Sequence, residues 1–177
     1  MKSMIVVRID RCLGCKSCEI ACVVAHSSAK ELIAAVRSGE RASSRMAVMA
    51  CRNRAVPIHC NHCEDAVCVL ICPTGAIYRQ SPNGPVLVDA KRCIGCRMCI
   101  QACPFGVITM NAAGKGVLKC DLCVERLEQG QEPACIVSCP TRALVFGDEE
   151  TASRTKRQKA AEQMVAGRQG QEKASGQ

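Results

Sequence analysis

The chain has 177 residues, 48% of them hydrophobic, yet its aromatic side chains are limited to Tyr78, Phe105 and Phe146, with no Trp. A large conventional core is therefore excluded, as is a membrane span, because no apolar run approaches the roughly 18 residues that one needs. The formal charge is +8, from 24 Lys and Arg against 16 Asp and Glu, and the 17 cysteines are an odd number that speaks against a disulfide framework.

Met1-Lys2-Ser3-Met4 runs directly into an apolar stretch, and Met4 to Ile9 reads as a short strand. It enters a first cysteine set, Cys12, Cys15, Cys18 and Cys22, with two, two and three residues in the gaps. An interruption of 37 residues follows. Within it Ser28-Ala29-Lys30-Glu31 is a capping-box pattern ahead of Leu32, Ile33 and Val36, with Gly39 as the stop, which predicts one short helix. Met46 to Cys51 predicts an extended segment. Pro57 is expected to break the chain just before the second set, Cys60, Cys63, Cys68 and Cys72, which Pro73 follows. Ile77 to Gln80 and Val86 to Val88 flank Ser81-Pro82-Asn83-Gly84-Pro85, a hairpin signal. The third set is Cys93, Cys96, Cys99 and Cys103, followed by Pro104. Val107 to Asn111 and Val117 to Lys119 predict a second hairpin. The fourth set, Cys120, Cys123, Cys135 and Cys139, has an 11-residue gap at its centre and ends at Pro140. Ala143 to Phe146 supplies a closing strand. From Asp148 the composition turns polar, and residues 148–177 form a tail, helical over Glu149 to Val165 or disordered.

Each set offers four thiolates at a spacing that suits a [4Fe–4S] cubane. Two thiolates two residues apart reach adjacent corners from one tight turn, and a third continues around the cube. The cysteine after the three-residue gap lies about one helical turn further on and points to a neighbouring cluster. Gly14 and Gly95 suit the turns because glycine accepts positive φ, and the three prolines stop the local helices. Four sets imply four clusters and leave Cys51 over. Zinc ribbons pair two Cys-x2-Cys units without these additional cysteines, so a zinc reading applies to the stretched fourth set alone. Four oxidised clusters with their thiolates carry about −8 together, so the basic excess reads as compensation rather than a nucleic-acid footprint. Arg37, Arg41, Arg45, Arg52 and Arg54, then Arg154, Lys156, Arg157 and Lys159, remain as a solvated face or a docking face for an acidic partner. Folding should depend on the clusters.

The Cys-Leu-Gly-Cys-Lys-Ser-Cys-Glu-Ile-Ala-Cys run at 12–22 and His-Cys-Asn-His-Cys-Glu-Asp at 59–65 resemble the four-cluster, ferredoxin-like electron-transfer subunits of the dimethyl-sulfoxide-reductase iron–sulfur family. The short form looks closest to the small subunits of tungsten aldehyde oxidoreductases and the ferredoxin-like partners of CO dehydrogenase. The resemblance implies an α+β fold of two pseudo-symmetric two-cluster modules spanning residues 1–147, with 23–59 as an insertion. It implies that the motifs pair first with fourth and second with third. The ligand groups would then be Cys12, Cys15, Cys18 and Cys139; Cys120, Cys123, Cys135 and Cys22; Cys60, Cys63, Cys68 and Cys103; and Cys93, Cys96, Cys99 and Cys72. Val23 stands where the family has a proline. With every ligand position a cysteine, no [3Fe–4S] centre is expected.

Electron relay, without catalysis by the chain itself, is the function so implied. The expected catalytic partner is a tungsten or molybdenum pterin enzyme, an aldehyde oxidoreductase first, or alternatively a nickel enzyme such as CO dehydrogenase or a hydrogenase. The second partner would be a flavin subunit or a ferredoxin. A cytoplasmic location follows from the lack of a visible leader, and the basic tail offers end-to-end self-association of copies. No nucleophile–base pair, phosphate loop or nucleotide fingerprint accompanies the cysteines. His59 and His62 are expected to hydrogen-bond cluster sulfur, and His26 to lie at the surface or beside a cluster. Cys51 is expected to be a buried small hydrophobe, and Glu19, Glu64 and Asp65 to face solvent.

Overall fold

The computed structural model describes residues 3–40, 42–148, 150, 153–154, 156–158 and 160–161. The fold starts with β1 (Met4–Val7), passes a 3-10 turn at Ile9–Arg11 and enters α1 (Ser17–Ala25) and α2 (Leu32–Arg37). A hairpin of β2 (Ala47–Cys51) and β3 (Arg54–Ile58) precedes α3 (Val67–Leu70) and the hairpin β4 (Ile77–Arg79) and β5 (Val86–Val88). Then come α4 (Met98–Ala102), β6 (Thr109–Met110), β7 (Val117–Leu118), α5 (Val124–Glu128), α6 (Ala134–Val137) and β8 (Leu144–Gly147). Among the described residues the four sheets are two-stranded and antiparallel; one pairs the first strand, β1, with the last, β8, Met4 opposite Gly147 and Val7 opposite Leu144.

These elements are short because each cysteine set dictates its own turn. In the first Cys-x2-Cys turn of each set the second intervening residue takes a left-handed backbone: Gly14, His62, Gly95 and Leu122. Lys16, Arg97 and Cys123 repeat that conformation as the N-terminal caps of α1, α4 and α5. A further left-handed position closes three of the sets, at Gly75, Gly106 and Arg142, three residues past the last cysteine. Pro73, Pro104 and Pro140 immediately follow those cysteines, so α3, α4 and α6 last about one turn and the backbone leaves extended.

Two small cores result. One holds Ile5, Cys18, Cys22, Met46, Val48, Leu122, Cys135 and Leu144, and there α1 packs on α6. The other holds Ala66, Ile77, Val86, Cys99, Ile108 and Val117, and there α3 packs on α4. Cysteines of the first and fourth sets thus share one core and those of the second and third the other. Thiols fill space that aromatic side chains would take in an ordinary domain.

The 23–59 stretch differs from expectation in three places. Glu31, not Ser28, caps α2, its carboxylate accepting from Ala34 N–H; Ser28 instead donates to Glu40. Pro57 does not break the chain ahead of the second set; it sits within β3 opposite Val48, where a two-stranded hairpin asks no donor of it on the open edge. Cys51 is exposed at the tip of that hairpin rather than buried, because the Arg52–Asn53 turn turns it out to solvent. The expected helix over Glu149 to Val165 lies largely outside the described residues, and those described between 150 and 161 are helical. Among the described residues no helix is long and apolar enough to cross a membrane.

Candidate metal centre

Two cavities are each lined by four cysteines drawn from two distant motifs. Cys22 at the end of the first set meets Cys120, Cys123 and Cys135 around one, with Ile5, Met46, Leu122 and Pro133 completing the wall. Cys72 meets Cys93, Cys96 and Cys99 around the other, with Ile77, Ile94 and Val117. In the remaining sets, the Cys18 thiol lies within electrostatic reach of Cys139 and Cys15, and Cys68 within reach of Cys60 and Cys103. Electrostatic influence also runs between sets: Cys18 acts on Cys135, Cys60 on Cys120, and Cys68 on Cys99.

The surroundings of the sulfurs suit thiolates. Backbone N–H groups point at them: Arg45 at Cys22 (3.3 Å), His62 at Cys60 (3.4 Å), Leu122 at Cys120 (3.5 Å) and Ala143 at Cys139 (3.2 Å). The Ser17 hydroxyl donates to Cys15 at 3.4 Å, and Thr74 and Thr141, each two residues past its cysteine, lie 3.7 and 3.8 Å from Cys72 and Cys139. Burial opposes ionisation of Cys22, Cys72 and Cys139, yet hydrogen bonds to sulfur outweigh it and bring all three below the ordinary cysteine value, led by His26 at Cys22, the Ile77 backbone at Cys72 and the Leu144 backbone at Cys139. Elsewhere burial wins: it pushes Cys18 and Cys99 up to about 11 and Cys120 up to about 12, and raises Cys135 as well. Such thiols become ligands when a metal cation takes the proton's place. Sets of four convergent sulfurs, apolar walls and amide donors aimed at sulfur fit a [4Fe–4S] cubane.

One charged network touches this site. His26 Nδ1 lies 2.8 Å from the Cys22 carbonyl and 3.7 Å from its sulfur, while Nε2 lies 3.1 Å from Asp121 Oδ1. Arg45 donates to the other Asp121 oxygen. Burial works against the charge on His26, but the Asp121 and Cys22 bonds outweigh it and raise the imidazole to about 9. Arg45 is therefore neither solvated nor a docking residue, as the sequence would have it. Glu19 likewise does not face solvent: its carboxylate accepts from Val48 N–H and ties α1 to β2. His59 and His62 are buried as expected of residues beside a cluster. The contact with sulfur comes from the His62 backbone, however, while its Nδ1 accepts from Val86 N–H at 2.9 Å and His59 Nδ1 meets the Cys60 carbonyl. The Asp121, Glu19 and His62 partnerships carry no signal in the sequence, since each joins residues far apart along it.

One-turn helices and short hairpins wrapped around convergent thiol sets define a ferredoxin-like iron–sulfur protein. The 4Fe-4S dicluster domain family matches residues 51–149, more than half of the chain, and a 4Fe-4S binding domain matches residues 9–24. An iron-sulfur protein of Rhodospirillum rubrum is 42% identical over 151 residues, covering 78% of each of the two proteins. The thiosulfate reductase electron transfer subunit PhsB of Salmonella typhi is 43% identical over 141 residues, 77% of this chain and 71% of that one. The B subunit of the anaerobic dimethyl sulfoxide reductase of Escherichia coli (strain K12) is 37% identical over 143 residues, 78% and 69% respectively. The protein belongs to this family of ferredoxin-like [4Fe–4S] electron-transfer subunits of the dimethyl-sulfoxide-reductase type.

Proposed function

We propose that the chain relays single electrons through four [4Fe–4S] clusters set in one row. The ligand groups are Cys12, Cys15, Cys18 with Cys139; Cys22 with Cys120, Cys123, Cys135; Cys60, Cys63, Cys68 with Cys103; and Cys72 with Cys93, Cys96, Cys99. The observation that carries this reading is the pair of cavities in which three cysteines of one motif meet the last cysteine of another. The proposed order of the row rests on which thiols of different sets lie within electrostatic reach of one another. Cys18 and Cys135 join the first group to the second, Cys120 and Cys60 the second to the third, and Cys68 and Cys99 the third to the fourth. When bound, the clusters supply the one-electron chemistry; the protein spaces them and sets their potentials through burial, charge and hydrogen bonds to sulfur.

The row has two open ends. Cys15 and Cys96, one in each terminal group, are exposed, unlike the other fourteen cysteines of the four sets. Beside them Leu13 and Ile94 stand 73% and 67% exposed. Two redox partners can therefore approach, one at each end. The names of the relatives favour a catalytic subunit of the thiosulfate or dimethyl sulfoxide reductase kind, a molybdenum or tungsten pterin enzyme, over the aldehyde oxidoreductase suggested by the short form. A flavin subunit or a ferredoxin suits the other end.

Anaerobic purification of the tagged chain from its host tests this. About 16 iron and 16 sulfide per chain are expected, with a pterin metal in the co-purifying subunit. Zinc in place of iron, or iron for two clusters only, would overturn the four-cluster reading. Nickel in the co-purifying protein would replace the pterin partner by a CO dehydrogenase or hydrogenase. The grouping has its own check: Cys12→Ser and Cys139→Ser should damage the same EPR-resolved cluster, and damage to different clusters would refute the assignment.

A further inference from the structure

Lys119 is buried to 3% exposure, an unusual place for an ammonium group. Its Nζ donates to the Val86 carbonyl and, at 2.7 Å, to the Cys120 carbonyl. Val86 belongs to the core that holds the second and third cysteine sets, and Cys120 packs against the core of the first and fourth. The ammonium thus stands on the seam between the two cores. Among the described residues no carboxylate pairs with it; the nearest in sequence, Asp121, is taken by His26 and Arg45. Two carbonyl dipoles do not neutralise a buried cation, whose desolvation costs several kcal/mol unless an anion compensates it.

The sulfurs around the seam supply that anion. The ammonium is bonded to the carbonyl of Cys120 itself, and its positive charge favours the thiolates of both Cys120 and Cys68, members of two different ligand groups. A cluster with its four thiolates is anionic and gains one more negative charge on reduction, which a nearby cation in a dry environment favours. The influence falls with distance, so it is felt by the two inner clusters of the row and little by the outer two.

We propose that Lys119 is a built-in counter-charge at the middle of the relay, raising the reduction potentials of the clusters held by the Cys120 group and the Cys60 group so that an electron can cross from one core to the other. This rests on the four-cluster reading above. The Lys119 ammonium bonds backbone carbonyls rather than sulfur. It acts as a positioning charge, and the potential is the readout that a purely structural lysine would not move.

The test is EPR-monitored redox titration of anaerobically purified holo-protein, with iron and sulfide measured on the same samples. In Lys119→Met two of the four midpoints should fall by a roughly tenfold loss of electron affinity, about 59 mV for a one-electron couple, while Lys119→Arg stays near the wild type. Four unchanged midpoints with full iron would overturn the proposal, as would four midpoints falling together. If Lys119→Met loses iron, Lys119→Gln decides by the same criteria, because its amide keeps a donor for the carbonyls without the charge. Loss of iron from both neutral variants while Lys119→Arg stays loaded would also count against a tuning role. Wild-type protein lacking iron for four clusters would sink the underlying reading instead, a distinct result.

Discussion

His26 Nε2 lies 3.1 Å from Asp121 Oδ1 across a separation of 95 residues. Because Arg45 occupies the other carboxylate oxygen, this one side chain ties together the end of α1, the insertion and the turn of the fourth cysteine set. Asp121 also accepts from Cys123 N–H at 2.9 Å and so shapes the turn that presents two cysteines.

Replacing Asp121 by Ala should therefore act on stability and on one cluster together. It leaves Arg45 and His26 without their counter-charge and a backbone N–H without its acceptor. A loss of about 1–3 kcal/mol is expected, less than for a fully buried pair because Asp121 is about a quarter exposed. Thermal unfolding of the holo-protein and its iron content measure this. An unchanged midpoint with full iron would show the network to be ornamental.

Removal of iron should unfold the domain. The two cores contain eight and six buried residues, several of them cysteines, and no aromatic side chain among them. Such cores supply too little apolar burial to hold residues 1–147 against chain entropy. Chelation under reducing conditions is expected to abolish the cooperative thermal transition seen by circular dichroism. A sharp transition surviving in cluster-free protein would refute the dependence.

Cys51 should be the single thiol open to reagents in the loaded protein. It is exposed at a hairpin tip, whereas the other sixteen cysteines are the proposed ligands. Maleimide labelling of native holo-protein under anaerobic conditions should add about one label per chain and none to Cys51→Ser, which keeps full iron. Labelling at Cys15 or Cys96 in fully loaded protein would show that those thiols are not ligands.

The left-handed positions after the last cysteines allow a paired test. Arg142, exposed at φ 52°, occupies the place that Gly75 fills at φ 59°. A left-handed backbone costs a residue with Cβ about 1–2 kcal/mol, and the extra chain entropy of glycine offsets about 0.5–1 of it. Arg142→Gly should therefore raise stability by about 0.5 kcal/mol. Gly75→Ala should lower it by more than about 1 kcal/mol, because its Cβ would also meet Arg92 Nη2 at 2.8 Å and disturb the Arg92 bond to the Thr74 carbonyl. Thermal midpoints of the two holo-variants check the signs.

The cysteine spacing alone determined the kind of site and the four local turns, because a cubane imposes its geometry on whichever few residues bracket its ligands. The turn signal at Ser81–Pro85 and the apolar runs beside it and at 107–119 gave the two hairpins. The Pro residues and Gly14 and Gly95 carried the same local information. His62 and Leu122 take the same conformation without the glycine signal, since the turn holds them there. The β2–β3 hairpin showed only as an extended first strand, because Arg52–Asn53 is a weak turn signal beside Pro57. Other features were decided by tertiary structure. Three cysteines of one motif meet the last of another, Asp121 joins His26 and Arg45, and Lys119 lies on the seam between two cores. Each of these joins residues far apart in sequence, and a periodicity or a spacing encodes only what a few consecutive residues do.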